Sequence, residues 1–234
     1  MMIKLKDILN EGVYDPGIFK VVFTAGGPGS GKSYVASNLF GMPEKMPFVS
    51  ANGLKGVNSD SAFETYMEKA KMSPDLAKLD GTQFKQAMTL RDKAKRVTAK
   101  RMTQFINGKL GMLVDGTGKD YGKIQNMKTV LAVQGYDCFM VFVNTDLEVA
   151  LDRNSKRDRV LPEKLVKSSW QAVQNNLGKF QSLFGATNML VVDNSEYKDF
   201  GKVVKKAANS FVKRPIKNHI AKNWIKKELE LRKS

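Results

Sequence analysis

The stretch 18-IFKVVFTAGGPGSGKSYVASNLF-40 decides the fold. Residues 18–25 are almost wholly apolar and rich in Val and Phe, which predicts a buried strand. Lys32 to Phe40 predicts a helix, stopped by Gly41 and Pro43. Between them Gly26, Gly27, Pro28, Gly29, Ser30, Gly31, Lys32 and Ser33 match G-x-x-x-x-G-K-[ST] in full. The glycines let backbone N–H groups converge on phosphate oxygens, and the helix N-terminus adds partial positive charge. Lys32 is expected to reach the β/γ-phosphates and the Ser33 hydroxyl to ligate Mg²⁺. The motif sits between strand and helix, as this chemistry requires. It implies nucleoside triphosphate binding and leaves open what receives the phosphoryl group.

Outward from the loop, apolar runs and helical patterns alternate. Strands are expected near 54–57, 110–115, 137–144 and 188–193, with helices over 84–107, 121–134, 146–156 and 162–184. DCFMVFVN (137–144) is too apolar to be solvated on one face, as in a parallel sheet covered on both sides. This alternation predicts an α/β fold: a parallel sheet flanked by helices in right-handed βαβ units. Residues 1–12 pattern as a short amphipathic helix, followed by the turn Asp15-Pro16-Gly17. The tail from 197 patterns as two basic helices around Pro215. The expected organisation is a leader over 1–17, the nucleotide-binding domain over 18–196 and a basic helical appendage over 197–234.

Charge narrows the partners. The 234 residues carry 39 Lys+Arg against 23 Asp+Glu, a formal charge of +16 that points towards polyanions. Two regions supply much of it. Lys85, Arg91, Lys93, Lys95, Arg96, Lys100 and Arg101 face one acid, Asp92, and eleven Lys/Arg after residue 201 face Glu228 and Glu230. A single cysteine, Cys138, excludes an intrachain disulfide, and a single histidine, His219, leaves no His/Cys zinc cluster. No apolar run approaches the roughly 20 residues of a membrane span. The expected location is the cytoplasm, with no membrane and no protein partner indicated.

Three further segments carry chemistry: Asn58-Ser59-Asp60 after the second candidate strand, VDGTG (114–118) closing the third, and ALDRNSKRDRV (150–160). With GGPGSGKS and the closing LVVDNS (190–195), they make the chain resemble the P-loop kinases of the zeta-toxin and polynucleotide 5′-kinase group over roughly 18–195. The leader with YDPGIFK looks like that of such kinases encoded by large tailed phages, where some modify DNA. The resemblance implies a P-loop NTPase fold of kinase type, with ATP and Mg²⁺ as cofactors. It implies that Asp60 accepts the proton of the attacking hydroxyl and that Arg153, Arg157 and Arg159 form a lid on the phosphates. Asp115 would be a metal-linked carboxylate beside Ser33. The sugar-nucleotide pocket of the zeta group finds no residue-by-residue match, so toxin activity does not carry over.

Each site has a plainer reading. Asp60 is also a suitable helix cap, Asp115 a strand-closing turn residue, and the arginines a solvated helix end. Cys138, Trp170 and Trp224 suit packing. The leading functional expectation is a kinase acting on a hydroxyl of a nucleic acid, either a 5′-hydroxyl end or a hydroxymethylated base such as hydroxymethyluracil in DNA. The alternatives are a small-molecule kinase for a nucleotide, nucleoside or UDP-sugar, and a nucleic-acid-binding ATPase without kinase activity.

Overall fold

Five parallel strands, in the order β2-β3-β1-β4-β5, form the centre of the computed structural model, which describes residues 12–43, 49–50, 52–157, 159–196 and 201–232. They are β1 (Lys20–Ala25), β2 (Lys55–Val57), β3 (Met112–Asp115), β4 (Asp137–Asn144) and β5 (Met189–Asp193). The helices are α1 (Lys32–Phe40), α2 (Asp60–Lys69), α3 (Gly81–Asn107), α4 (Tyr121–Val133), α5 (Leu147–Ser155), α6 (Glu163–Gln174), α7 (Leu177–Phe184), α8 (Lys202–Lys213) and α9 (His219–Leu231). The leader expected to be helical lies mostly outside the described residues, and Gly12–Tyr14 is a 3₁₀ turn.

Alternate residues of the central strands feed two cores. Phe23, Met140 and Phe142 enter one with Leu131, Phe180 and Phe184. Val22, Phe139 and Val141 enter the other with Val35, Leu39 and Phe40. Both faces of β1 and β4 are therefore covered, which explains their unbroken apolar sequences. Side-by-side pairing of β1 with β3 and β4 places the strand ends in one row, Thr24 opposite Asp115 and Ala25 opposite Phe142.

Three expectations are corrected. The helix over 162–184 is two helices, broken at Asn175 and Asn176. The buried Asn176 amide explains the break: it donates to the carbonyls of Gly118 (3.0 Å) and Lys119 (3.0 Å), bonds that fix the loop after β3. The strand expected to be buried at 188–193 lies at the sheet edge, with Val191 exposed. Strand β1 also starts at Lys20, because Phe19 has a left-handed φ of 53°.

The basic tail packs into both cores. Ala208, Phe211 and Val212 of α8 are buried on one face of the sheet, where Phe211 stacks on Phe139 at 4.6 Å. Ala221, Trp224 and Ile225 of α9 pack on the other, Trp224 edge-on to Phe19 at 5.4 Å. The link between them is pinned from below the sheet. Buried Lys20 donates to the Arg214 carbonyl (2.8 Å), and the Asp137 carboxylate accepts from the backbone N–H groups of Lys217 (2.8 Å) and Asn218 (3.1 Å). Burial lowers the Lys20 pKa against the opposing pull of Asp137.

Because Phe211 fills core space, Phe211→Ala should destabilise the whole protein by about 3–5 kcal/mol. Denaturant unfolding followed by far-UV circular dichroism measures this. A loss within about 0.5 kcal/mol, the usual range of surface substitutions, would mean that the tail is not part of the core.

Candidate active site

The phosphate loop leaves β1 at Gly26 and enters α1 at Lys32, at the carboxyl edge where open parallel sheets bind ligands. Gly29 and Gly31 both take left-handed conformations, with φ of 78° and 79°. A side chain at Gly29 would run into the Ala150 carbonyl, so α5 sits directly on the loop. The loop is braced from behind. The Ser30 carbonyl accepts from the Asn194 amide (2.8 Å) and the Thr145 hydroxyl (3.2 Å), while the Trp170 indole N–H donates to the Thr145 carbonyl (2.7 Å). These braces come from the ends of β4 and β5 and from α6.

Lys32 folds back onto its own loop, donating to the carbonyls of Gly26 (2.9 Å) and Gly27 (3.3 Å). Removal from water lowers its pKa; Asp115 and Asp60 oppose the shift and Arg157 adds to it. Those couplings place both carboxylates and Arg157 within electrostatic reach of the phosphate lysine. Ser33 is exposed beside it.

Asp115 joins three strand ends. Its carboxylate accepts from the Thr24 hydroxyl (2.6 Å) at the end of β1 and from the Asn58 amide (2.8 Å) just after β2. Asn58 in turn accepts from the Asp60 backbone N–H at 2.7 Å. Asp60 is the first residue of α2, and the cap position belongs to Ser59. The Asp60 side chain instead faces cations: Arg159 donates to it at 2.9 Å, and Arg91 of α3 lies 3.8 Å away. Burial alone would raise the Asp60 pKa, but Arg159, Arg91 and Lys32 outweigh it and hold the carboxyl below its ordinary range.

The three arginines of the 150–160 run divide. Arg153 donates to the carbonyls of Asn194 (2.7 Å) and Ser195 (3.4 Å), tying α5 to the end of β5. Arg157 is exposed near Lys32. Arg159, expected on the phosphates, is placed against Asp60, with Phe63 beneath its guanidinium at 5.8 Å. Thr24, Thr145, Asn194 and Arg91 were not legible as site residues, since each takes its role from a partner distant in the chain. Cys138 is a packing residue whose thiol is pushed up to about 12 by burial.

The donor set suits magnesium. Ser33 and Asp115 offer oxygen atoms only, as that hard cation prefers, and Mg²⁺ usually takes its remaining ligands from water and substrate phosphates. Among the described residues no cluster of three or more His, Cys, Asp or Glu forms an all-protein metal cage.

The Asp60 pKa carries a sign. A carboxyl held below its ordinary value of 3.8 stabilises the fold above that pH, and the contribution disappears as pH falls through the depressed value. Asp60→Asn should therefore melt below the wild type at neutral pH. The two melting temperatures should converge below about pH 4. A gap that is constant across the titration would exclude the ion pair as its source.

Against solved structures the chain matches at the level of the fold. A chain of the AvrRxo1-ORF1:-ORF2 complex solved with ATP superposes with a TM-score of 0.56 at 14% identity, covering 74% of this chain and 54% of that one. A chain of the Pnkp1/Rnl/Hen1 RNA repair complex gives 0.51 at 16%, covering 70% and 46%. A chain of the PezAT toxin–antitoxin system of Streptococcus pneumoniae gives 0.50 at 11%, covering 90% and 86%. The protein thus spans about half the length of the first two. Comparison with curated proteins gives no match. The AAA_33 model, described as an AAA domain, matches residues 21–179, which contain the phosphate loop, Asp60, Asp115 and the arginine run: the chain belongs to that family.

Proposed function

We propose that the protein is an ATP-dependent kinase that transfers the γ-phosphoryl group to a hydroxyl of a nucleic acid. The observation that carries this reading is the position of Asp60, a carboxylate whose backbone is held by Asn58 (2.7 Å), which itself donates to Asp115 (2.8 Å) at the carboxyl edge of the sheet beside the phosphate loop. A remodelling ATPase usually carries its water-activating carboxylate directly after the strand-ending aspartate, whereas here Asp115 is followed by Gly116 and the second carboxylate stands on α2.

In the proposed reaction the acceptor oxygen attacks the γ-phosphorus, the bond from that phosphorus to the β,γ-bridging oxygen breaks, and ADP leaves. The acceptor proton passes to Asp60. Lys32 leaves the Gly26 and Gly27 carbonyls for the β/γ-phosphates, and the loop amides hold the remaining oxygens. Arg157, exposed beside Lys32, supplies positive charge where the transferring group develops negative charge, and Arg153 holds the lid helix in place. Magnesium, held by Ser33 with Asp115, would neutralise phosphate charge. A low Asp60 pKa is compatible with this chemistry, because a loose transition state asks little of its base.

The nucleic acid enters the proposal through charge. With α8 and α9 anchored by their apolar faces, Lys202, Lys206, Lys213, Lys217, Lys222, Lys226 and Lys227 remain exposed. Lys85, Lys93, Lys95, Arg96 and Lys100 of α3 are exposed as well. Arg214 is different: it donates to Asn188 and packs over Phe211, a structural role. One fold neighbour belongs to an RNA repair complex, which is consistent with such an acceptor.

The decisive experiment offers γ-labelled ATP with 5′-hydroxyl DNA and RNA, hydroxymethyluracil DNA, nucleotides, nucleosides and UDP-sugars. Label on a polynucleotide, lost by about 10²–10⁴-fold in a folded Asp60→Asn protein, is the expected result. Rapid ATP hydrolysis stimulated by DNA, with no labelled product, would move the protein to the ATPase class.

Salt separates a polynucleotide from a small acceptor. If about four to six phosphates of a single strand are neutralised, log affinity should fall against log salt with a slope of roughly −3 to −4. Reversing the charge of Lys222, Lys226 and Lys227 should raise the KM for a long oligonucleotide and leave that for ATP unchanged. Salt-independent binding together with brisk activity on a nucleotide or UDP-sugar would establish the small-molecule alternative.

A further inference from the structure

Beside Asp60 the structure has a pocket of about 240 Å³, lined by Phe63, Glu64, Met67, Glu68, Met72, Pro74 and Arg159. It lies in the lobe where α2 packs on α3, around a small core of Phe63, Met67, Leu76, Ala87 and Ala94 that is separate from the two sheet cores. We infer that this pocket takes the base of the acceptor nucleoside and that its polar groups select guanine. The inference rests on the proposed kinase reading and names the part of the acceptor that this lobe holds.

Four observations lead there. The first is position. Arg159 lines the pocket and donates to Asp60 at 2.9 Å, so a ring seated in the pocket has its sugar beside the carboxylate that would receive a hydroxyl proton. The second is an unmet donor. Arg159 Nη1 is buried without a hydrogen-bond partner, its distance to Glu64 Oε1 being 3.7 Å. A buried donor of this kind is costly unless a ligand supplies an acceptor.

The third is charge. Glu64 and Glu68 are one turn apart on α2, a like-charge spacing that weakens a helix. They form an acidic island on a protein of charge +16. A phosphate is repelled here and drawn to the surrounding lysines, whereas a donor-rich ring is attracted. The fourth is the wall: Phe63, Met67, Met72 and Pro74 give the apolar contact that a planar heterocycle needs.

The pattern discriminates among bases. Ionised carboxylates only accept hydrogen bonds and a guanidinium only donates them. The guanine edge presents the O6 acceptor next to the N1–H and N2–H₂ donors, so O6 meets Arg159 Nη1 while the two adjacent donors meet the two carboxylates, Glu64 and Glu68. Uracil and thymine offer one N–H donor between two carbonyls, and one of those carbonyls would face a carboxylate. Cytosine and adenine pair their amino donor with ring-nitrogen acceptors and leave the second carboxylate unmatched.

The test compares 5′-hydroxyl oligonucleotides that differ only in the terminal nucleoside, together with free guanosine and uridine. Guanosine binding is also measured directly by calorimetry. A 5′-guanosine end should exceed a 5′-uridine end by about tenfold in kcat/KM, the scale expected of a paired hydrogen-bond readout. Glu68→Gln, an exposed and isosteric change, or its partner Glu64→Gln should bring the two ends within about threefold while the KM for ATP is unchanged. Equal kcat/KM for all terminal bases would overturn the inference and leave the kinase reading standing. So would a guanine preference that survives both substitutions. Guanosine phosphorylated as well as an oligonucleotide supports the pocket and overturns the polynucleotide acceptor. If nothing is phosphorylated the kinase reading fails, and calorimetry still decides the pocket: no guanosine binding, or binding unaffected by Glu68→Gln, overturns it.

Discussion

One carboxylate holds the cleft together. Asp115 accepts from Thr24 at the end of β1 and from Asn58 just beyond β2, while itself ending β3. Two of the segments that carry proposed chemistry leave from these strand ends, and the arginine run follows β4. The phosphate loop follows β1 directly, and the Asn58 carbonyl oxygen of the side chain holds the backbone of Asp60. A slip of one residue in the β1–β3 register would point Asp115 away from Thr24 and separate these segments. Its structural and proposed metal-linked roles are compatible, because each carboxylate oxygen has more than one acceptor direction.

The far side of the loop is built differently. Thr145 and Asn194, from the ends of β4 and β5, converge on the Ser30 carbonyl. Arg153 fastens α5 to the carbonyls of Asn194 and Ser195. The phosphate loop is thus braced by neutral hydrogen bonds, with one arginine tying α5 to the end of β5, and Lys32 and Arg159 are left to respond to a ligand. Lys32 on its own loop carbonyls and Arg159 on Asp60 both hold positions that phosphate or an acceptor hydroxyl would compete for. Preorganised dipoles with exchangeable ion pairs are what phosphoryl transfer asks of a protein, since most of its catalysis is positioning and electrostatics.

The tail illustrates how one sequence pattern serves two ends. Its apolar residues recur at helical intervals and fill both sheet cores, while most of its lysines stay in water. The turn around Pro215 is fixed by Lys20 and Asp137, two charged residues at the foot of the sheet. Burying Lys20 is tolerated because Asp137 and the Arg214 carbonyl replace its water.

The phosphate loop, the alternation of strands and helices and the parallel sheet were legible in the sequence. Each depends on short-range pattern: a glycine spacing, an apolar run, a helical period. The break at Asn176 was not, because an amide reaching the Gly118 carbonyl leaves no periodic trace in a helix that otherwise scores as continuous. The edge position of β5 was not either, since strand order is set by pairing between distant segments. The sequence nominated Asp60 and the arginine run, but only the tertiary structure decided that Arg159 pairs with Asp60, that Asp115 ties strand ends, and that Asn194 braces Ser30. Those assignments span 57 to 164 residues of chain, from Asn58–Asp115 to Ser30–Asn194, and they exist only where the carboxyl ends of parallel strands lie in one row.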